Sequence, residues 1–210
     1  MITDKDSTAP SDRSLVKFEE LISTYSANKI GLSDLFLTED LATNLAANIL
    51  TLQSKKLMVA AGTGNDTEIA HDSKVRGDSI YWLDRKHNDP FENIFFDLMD
   101  QFIVYLNNSC YTGITGYEFH YALYEKGSFY RKHLDQFKND ESRQFSMICY
   151  LNEGWLSSDG GELTIQALGK EESISPMNQK AVFFKSNELV HEVMLTQKNR
   201  MSITGWLKRD

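Results

Sequence analysis

The chain carries only two cysteines in 210 residues, Cys110 and Cys149, and they are widely separated. This argues against a disulfide scaffold and makes a reducing compartment the simpler reading. With no CxxC pair, a zinc-finger-type ligand set is absent as well. Basic residues are in deficit: 22 Lys and Arg stand against 30 Asp and Glu, a net charge of −8. A general phosphate-backbone binder needs a basic face, so no nucleic-acid partner is expected. No uncharged apolar run approaches the roughly 20 residues of a membrane span, so no membrane association is expected either. The first dozen residues have no apolar stretch of the signal-peptide kind and read as a disordered tail, residues 1–12. The cytoplasm is the expected location. Gly62-Thr63-Gly64 lacks a third glycine and a preceding strand, so it is no dinucleotide fingerprint. Internal repeats are missing too. What remains, 41% hydrophobic and 25% charged, is the composition of an ordinary globular protein. Residues 13–210 suffice for one domain and are short for two.

The two halves are patterned differently. Leu15, Phe18, Leu21, Ile22 and Tyr25 recur at helical spacing. Thr38 reads as an N-cap, with Glu39 and Asp40 favourable beside the helix dipole and Leu41, Leu45, Ile49 and Leu52 forming a stripe. Asp89-Pro90 is a further start signal, and Phe91, Ile94, Phe95, Leu98, Phe102 and Tyr105 are expected on one face. Between the second and third helices, Gly62 to Asp78 reads as a long loop of the kind that serves as a lid. Residues 13–110 are thus expected as helical support. From Gly116 onward, short segments rich in β-branched and aromatic residues alternate with Gly, Asn, Asp and Ser: 117–124, 146–151, 162–167, 181–185, 189–195 and 201–207. A turn is marked by Gly160-Gly161. The pattern implies an α+β protein with a double-sheeted jelly roll over 111–210 and the helices packed on one sheet.

The chemistry sits in the strand half. His133 and Asp135 stand two apart, and side chains at i and i+2 of an extended chain share a face. Both therefore aim into a barrel, and His191, on a later strand, can lie opposite them. Two imidazoles and one carboxylate are the protein ligands of a facial-triad iron(II) site, which keeps positions open for substrates and oxygen. The same set binds zinc with an open position, which leaves a zinc hydrolase, with Glu192 as base, as an alternative. Against it, Glu192 faces away from His191 on the strand. A metal-binding jelly roll without catalysis is a third reading. Arg200 follows His191 by nine residues. In the last strand Arg200, Ser202, Thr204 and Trp206 alternate with Met201, Ile203 and Leu207. With the apolar face under the helices, Arg200 points into the lumen, where a buried guanidinium calls for an anion. The far carboxylate of a keto-acid cosubstrate answers that need. Tyr150 offers a second donor to it. Tyr124 and Tyr130 are either pocket or core residues, and His71, His87 and His120 are read as structural.

These blocks, from Val75 to Trp206, resemble the HIF prolyl hydroxylase domain family, including its bacterial members. The resemblance is carried by Val75-Arg76-Gly77-Asp78-Ser79-Ile80-Tyr81-Trp82; by Tyr124, Gly127 and Tyr130-Arg131-Lys132-His133-Leu134-Asp135; by Ile148-Cys149-Tyr150-Leu151-Asn152 with Trp155 and Gly160-Gly161-Glu162-Leu163; and by His191-Glu192-Val193 and Arg200-Met201-Ser202-Ile203-Thr204-Gly205-Trp206. It implies a double-stranded β-helix dioxygenase that uses Fe(II), 2-oxoglutarate and O2, with ascorbate as reductant. By residue match, His133, Asp135 and His191 would bind iron. Arg200 and Tyr150 would hold the C5 carboxylate of 2-oxoglutarate, with Thr204 in a lesser role, and Tyr124 and Trp206 would line the pocket. Arg143, Asp78 and Arg76 match substrate-side positions. The implied activity is protein prolyl 4-hydroxylation. Similar bacterial enzymes act on elongation factor Tu, which makes it a candidate partner. The alternative is a 2-oxoglutarate oxygenase of a free amino acid or other small metabolite. The 62–74 loop departs from the animal sequences, which leaves the substrate open.

Overall fold

A computed structural model describes residues 12–62, 74–136 and 140–209. Residues 1–11 of the expected tail and residues 63–73 of the expected lid, His71 among them, lie outside the described residues, and Asp12 already belongs to the first helix. In chain order the elements are α1 (Asp12–Asn28), β1 (Gly31–Ser33), α2 (Glu39–Ser54), β2 (Val59–Ala60), β3 (Asp78–Trp82), α3 (Pro90–Cys110), β4 (Gly116–Tyr124), β5 (Tyr130–His133), β6 (Arg143–Tyr150), β7 (Leu163–Ala167), β8 (Lys170–Ile174), β9 (Ala181–Lys185), β10 (His191–Val193) and β11 (Arg200–Lys208). No helix among the described residues is long and apolar enough to cross a membrane.

The helices start where the capping chemistry places them. Thr38 Oγ1 accepts from the Leu41 N–H at 3.3 Å, and Asp89 Oδ1 accepts from both Phe91 and Glu92 N–H at 2.9 Å. Each such cap satisfies a donor that the helix itself leaves unpaired. The stripe of α3 is rotated from the expected one. Ile94 is exposed, and the buried face runs through Phe95, Leu98, Met99, Phe102 and Leu106. Either set fits helical spacing, and contact with the sheet selects between them.

The strands form two antiparallel sheets: a larger one ordered β1-β9-β6-β11-β4-β3-β2, and a smaller one ordered β5-β10-β7-β8. This is the expected double-stranded β-helix, with one difference in its bookkeeping. Three strands, β1, β2 and β3, come from the half expected to be helical, so residue 110 does not divide helices from sheet. β1 and β2 are only three and two residues long and are held in place by edge pairing, while β3 lies inside the sheet between β4 and β2. The long strands of the larger sheet split their residues between two cores. Phe119, Tyr121 and Leu123 of β4, Met147 and Cys149 of β6 and Ile203 and Leu207 of β11 pack with the helices. Their alternates Ala122, Tyr124, Ile148 and Tyr150 face the smaller sheet. An aromatic chain joins helices to sheet: Phe18 to Phe102 at 5.0 Å, and Phe102 to Phe36 at 6.0 Å and to Phe183 at 5.6 Å between ring centroids. Each of these buried rings contributes roughly 1.5–3 kcal/mol by area alone. With its outer face covered, the larger sheet turns its inner face to the site. Cys110 and Cys149 are both free.

Candidate active site

His133 and His191 meet because β5 and β10 are antiparallel neighbours in a register that sets the two residues directly opposite each other. Their ring centroids are 4.2 Å apart. Asp135 follows β5 after one residue, and its carboxylate lies 3.5 Å from His133 Nε2 and 3.6 Å from His191 Nε2. The three ligand atoms lie within 4.8 Å of one another. The intervening Leu134 is exposed at the rim.

The imidazoles are oriented by backbone. His133 Nδ1 donates to Arg131 O at 2.7 Å and His191 Nδ1 to Leu189 O at 3.0 Å. A carbonyl only accepts, so the Nδ1 proton is fixed and Nε2 is the atom turned to the site. Burial lowers the His133 pKa further than Asp135 raises it. At His191 burial acts downward, yet the charge and hydrogen bond of Asp135 raise the pKa on balance. Burial alone would raise the Asp135 pKa, but the two imidazoles hold it well below the usual carboxylate range. The result is one carboxylate flanked by two Nε2 atoms, a donor set that fits a divalent transition metal.

Ser146, which the motif reading missed, holds the carboxylate, and Ser186 stands behind it. Ser146 Oγ donates to Asp135 Oδ2 at 2.6 Å and lies 2.9 Å from Ser186 Oγ. Both serines are fully buried. The signal in the sequence was a polar Ser146 on the same face of β6 as Ile148 and Tyr150. Arg143 adds a bond from Nη1 to the Asp135 carbonyl at 3.3 Å.

A cavity of about 750 Å³ opens beside these ligands, and Tyr124, Arg200, Thr204 and Trp206 line it from the larger sheet. Arg200 is 2% exposed. Its Nε donates to Gly161 O at 2.9 Å, and among the described residues no carboxylate pairs with it. Its Cζ lies 5.1 Å from the Tyr124 ring centroid and 4.9 Å from that of Tyr150. The Gly160-Gly161 turn has a steric purpose here. Gly161 has φ +69°, and a Cβ on it would stand 3.2 Å from Arg200 Cδ. Burial raises the Tyr150 pKa more than the neighbouring guanidinium lowers it, so the phenol stays neutral and able to donate. Its hydroxyl is buried and has no partner among the described residues. A buried guanidinium with no carboxylate partner, lining the cavity, and a phenol just behind that lining fit the distal carboxylate of 2-oxoglutarate. Thr204 Oγ1, 3.1 Å from Ser202 Oγ, lies on the same wall.

The three substrate-side candidates are placed unequally. Arg76 lines the cavity, stacks 4.1 Å from the Tyr130 ring centroid and forks onto Asp78 at 2.7 and 2.6 Å. Asp78 is buried behind it and does not line the cavity; its position there is that of an anchor for Arg76. Arg143 sits with Cζ 3.4 Å from the Trp206 ring centroid and pairs with Glu118 at 2.7 Å. Glu192, the base required by a zinc hydrolase, lies 3.6 Å from Lys132 and is not among the cavity-lining residues. His87 pairs with Glu92 at 2.9 Å, as a structural residue would. His120, also expected to be structural, lines the cavity instead.

Residues 119–208 match the family model of the 2OG-Fe(II) oxygenase superfamily. A prolyl-4-hydroxylase from Pseudomonas putida is 32% identical, with 92% of this chain and 99% of that one covered at a TM-score of 0.83. This chain belongs to the 2OG-Fe(II) oxygenases, in the prolyl 4-hydroxylase type. It is therefore an Fe(II)-, 2-oxoglutarate- and O2-dependent dioxygenase. Two more distant structures share the fold. A Trichoplax adhaerens prolyl hydroxylase, solved with a hypoxia-inducible factor oxygen degradation domain peptide, is 23% identical over 96% of this chain and 94% of that one, at a TM-score of 0.82. A viral collagen prolyl hydroxylase from Paramecium bursaria Chlorella virus-1, in its 2-oxoglutarate complex, is 15% identical over 88% and 98%, at 0.59.

Proposed function

We propose that this oxygenase is a protein prolyl 4-hydroxylase whose substrate is a proline in elongation factor Tu. The observation that carries the prolyl part is the 32% identity to the Pseudomonas putida prolyl-4-hydroxylase over nearly the whole of both chains. A peptide substrate is supported by the peptide held in the Trichoplax relative and by the size of the cavity beside the ligands, about 750 Å³. The proposed location is the cytoplasm, with ascorbate as reductant.

In this reading His133, Asp135 and His191 bind iron through two Nε2 atoms and a carboxylate oxygen. Iron(II), when bound with 2-oxoglutarate and O2, supplies the oxidising chemistry. Arg200 and Tyr150 hold the distal carboxylate of 2-oxoglutarate, one by charge and one by a neutral donor. Tyr124, Thr204 and Trp206 shape the space between. Arg76 and Arg143 face the substrate, and Asp78 keeps Arg76 in place. No side chain has to act as a general base, which agrees with a cavity whose carboxylates, Asp135, Glu118 and Asp140, are each already engaged.

The test is incubation with elongation factor Tu under Fe(II), 2-oxoglutarate, ascorbate and air. Succinate release matched by one added oxygen on a proline is the expected result, and His133→Ala abolishes both. Turnover of free proline with elongation factor Tu left unmodified would replace this reading with that of a small-metabolite oxygenase.

A further inference from the structure

One wall of the cavity is aromatic and contains a histidine that the metal and cosubstrate roles leave unused. His120 lies on β4 opposite Thr204 of β11 and Trp82 of β3. Its ring centroid is 5.0 Å from that of Trp82 and 5.5 Å from that of Trp206. All three line the cavity. Trp82 is 46% exposed while His120 and Trp206 are 4% and 8% exposed, so the wall runs from the rim inward.

Two polar atoms on this wall are unsatisfied. His120 Nδ1 and Trp206 Nε1 are buried without a hydrogen-bond partner among the described residues. A buried unpaired ring nitrogen is destabilising, and protonation does not relieve it: burial pushes the His120 pKa down to about 4, so the ring is neutral at physiological pH. The nearby charges are Asp78, Arg76, Arg143 and Asp135, and they do not offset burial. A methionine or phenylalanine would fill the gap between the two tryptophans without this penalty. A neutral imidazole there offers one donor and one acceptor, which match the carbonyl and amide of a peptide main chain.

We propose that His120 is a substrate-recognition residue that hydrogen-bonds the main chain of the bound peptide, while Trp82 and Trp206 pack on its side chains. This rests on the reading of the substrate as a protein. His120 is assigned to binding and not to the oxidation, because its Nδ1 is bonded to none of the three metal ligands.

His120→Phe isolates the effect, since it keeps a ring between the tryptophans and removes both nitrogens. The measurement is binding and turnover of elongation factor Tu by wild type, His120→Phe and His120→Asn, with the affinity for 2-oxoglutarate and the melting temperature read in parallel. We expect His120→Phe to weaken elongation factor Tu binding about tenfold, the scale of one hydrogen bond. Its affinity for 2-oxoglutarate and its melting temperature stay at or above wild type, and His120→Asn recovers part of the loss. Wild-type binding of elongation factor Tu by His120→Phe overturns the proposal and leaves the prolyl reading intact. Equal loss of 2-oxoglutarate affinity or of stability also overturns it, by making His120 structural. A wild-type enzyme that ignores elongation factor Tu removes the protein-substrate reading, and this inference with it.

Discussion

The two ends of the cavity are finished to different degrees. At the His133, Asp135 and His191 end, supporting atoms are in place: two backbone carbonyls hold the imidazoles, and Ser146 holds the carboxylate. At the Arg200 end, the buried guanidinium donates to the Gly161 carbonyl, and among the described residues it has no carboxylate partner. The first arrangement is preorganised for a small ion whose ligand geometry is strict. The second leaves donors without a carboxylate partner, as binding an anion that arrives and departs with each turnover would require. The difference predicts that substitutions at the two ends separate metal affinity from cosubstrate affinity.

Four substitutions probe that separation, from the largest effect down. His133→Ala removes a ligand and should cost more in Fe(II) affinity than the roughly 10–100-fold that loss of a supporting partner costs a metal site. Titration with Fe(II) under nitrogen reads it, and near-normal binding would break the assignment. Arg200→Ala should weaken 2-oxoglutarate binding by about 2–5 kcal/mol, thirtyfold or more, with Fe(II) affinity retained. Parallel loss of both would mean that the two ends are not independent. Ser146→Ala should do the reverse: roughly tenfold weaker Fe(II) binding with 2-oxoglutarate affinity retained once iron is saturating. Tyr150→Phe should be the mildest, about 0.5–1.5 kcal/mol in 2-oxoglutarate affinity. Because it deletes an unpaired buried hydroxyl, its melting temperature should not fall, and a clear drop would show that the hydroxyl has a structural partner.

Legibility in the sequence follows the same division. His133, His191 and Arg200 were legible because strand alternation dictates a face, and all three line the cavity; Asp135 lies just past the end of β5 and lines it too. The helices were legible through caps at Thr38 and Asp89. What escaped was set by partners distant in sequence. β1 and β2 are three and two residues long and exist through pairing with β9 and β3. Ile94 and Phe95 compete for one stripe, and only the docked sheet chooses. Ser146 and His120 belong to types that are commonly structural. Their closeness to Asp135 and to the two tryptophans is produced by the closed sheets, and no local spacing announces it.

The most direct test of the central claim compares two keto acids: 2-oxoglutarate, and 2-oxobutyrate, which lacks the distal carboxylate. Their affinities for the Fe(II)-loaded protein are measured without oxygen, in wild type and in Arg200→Ala. The account predicts a strong wild-type preference for 2-oxoglutarate that collapses in Arg200→Ala, while 2-oxobutyrate binds both proteins alike. A preference that survives the loss of Arg200 would contradict it, because the distal carboxylate would then be held elsewhere.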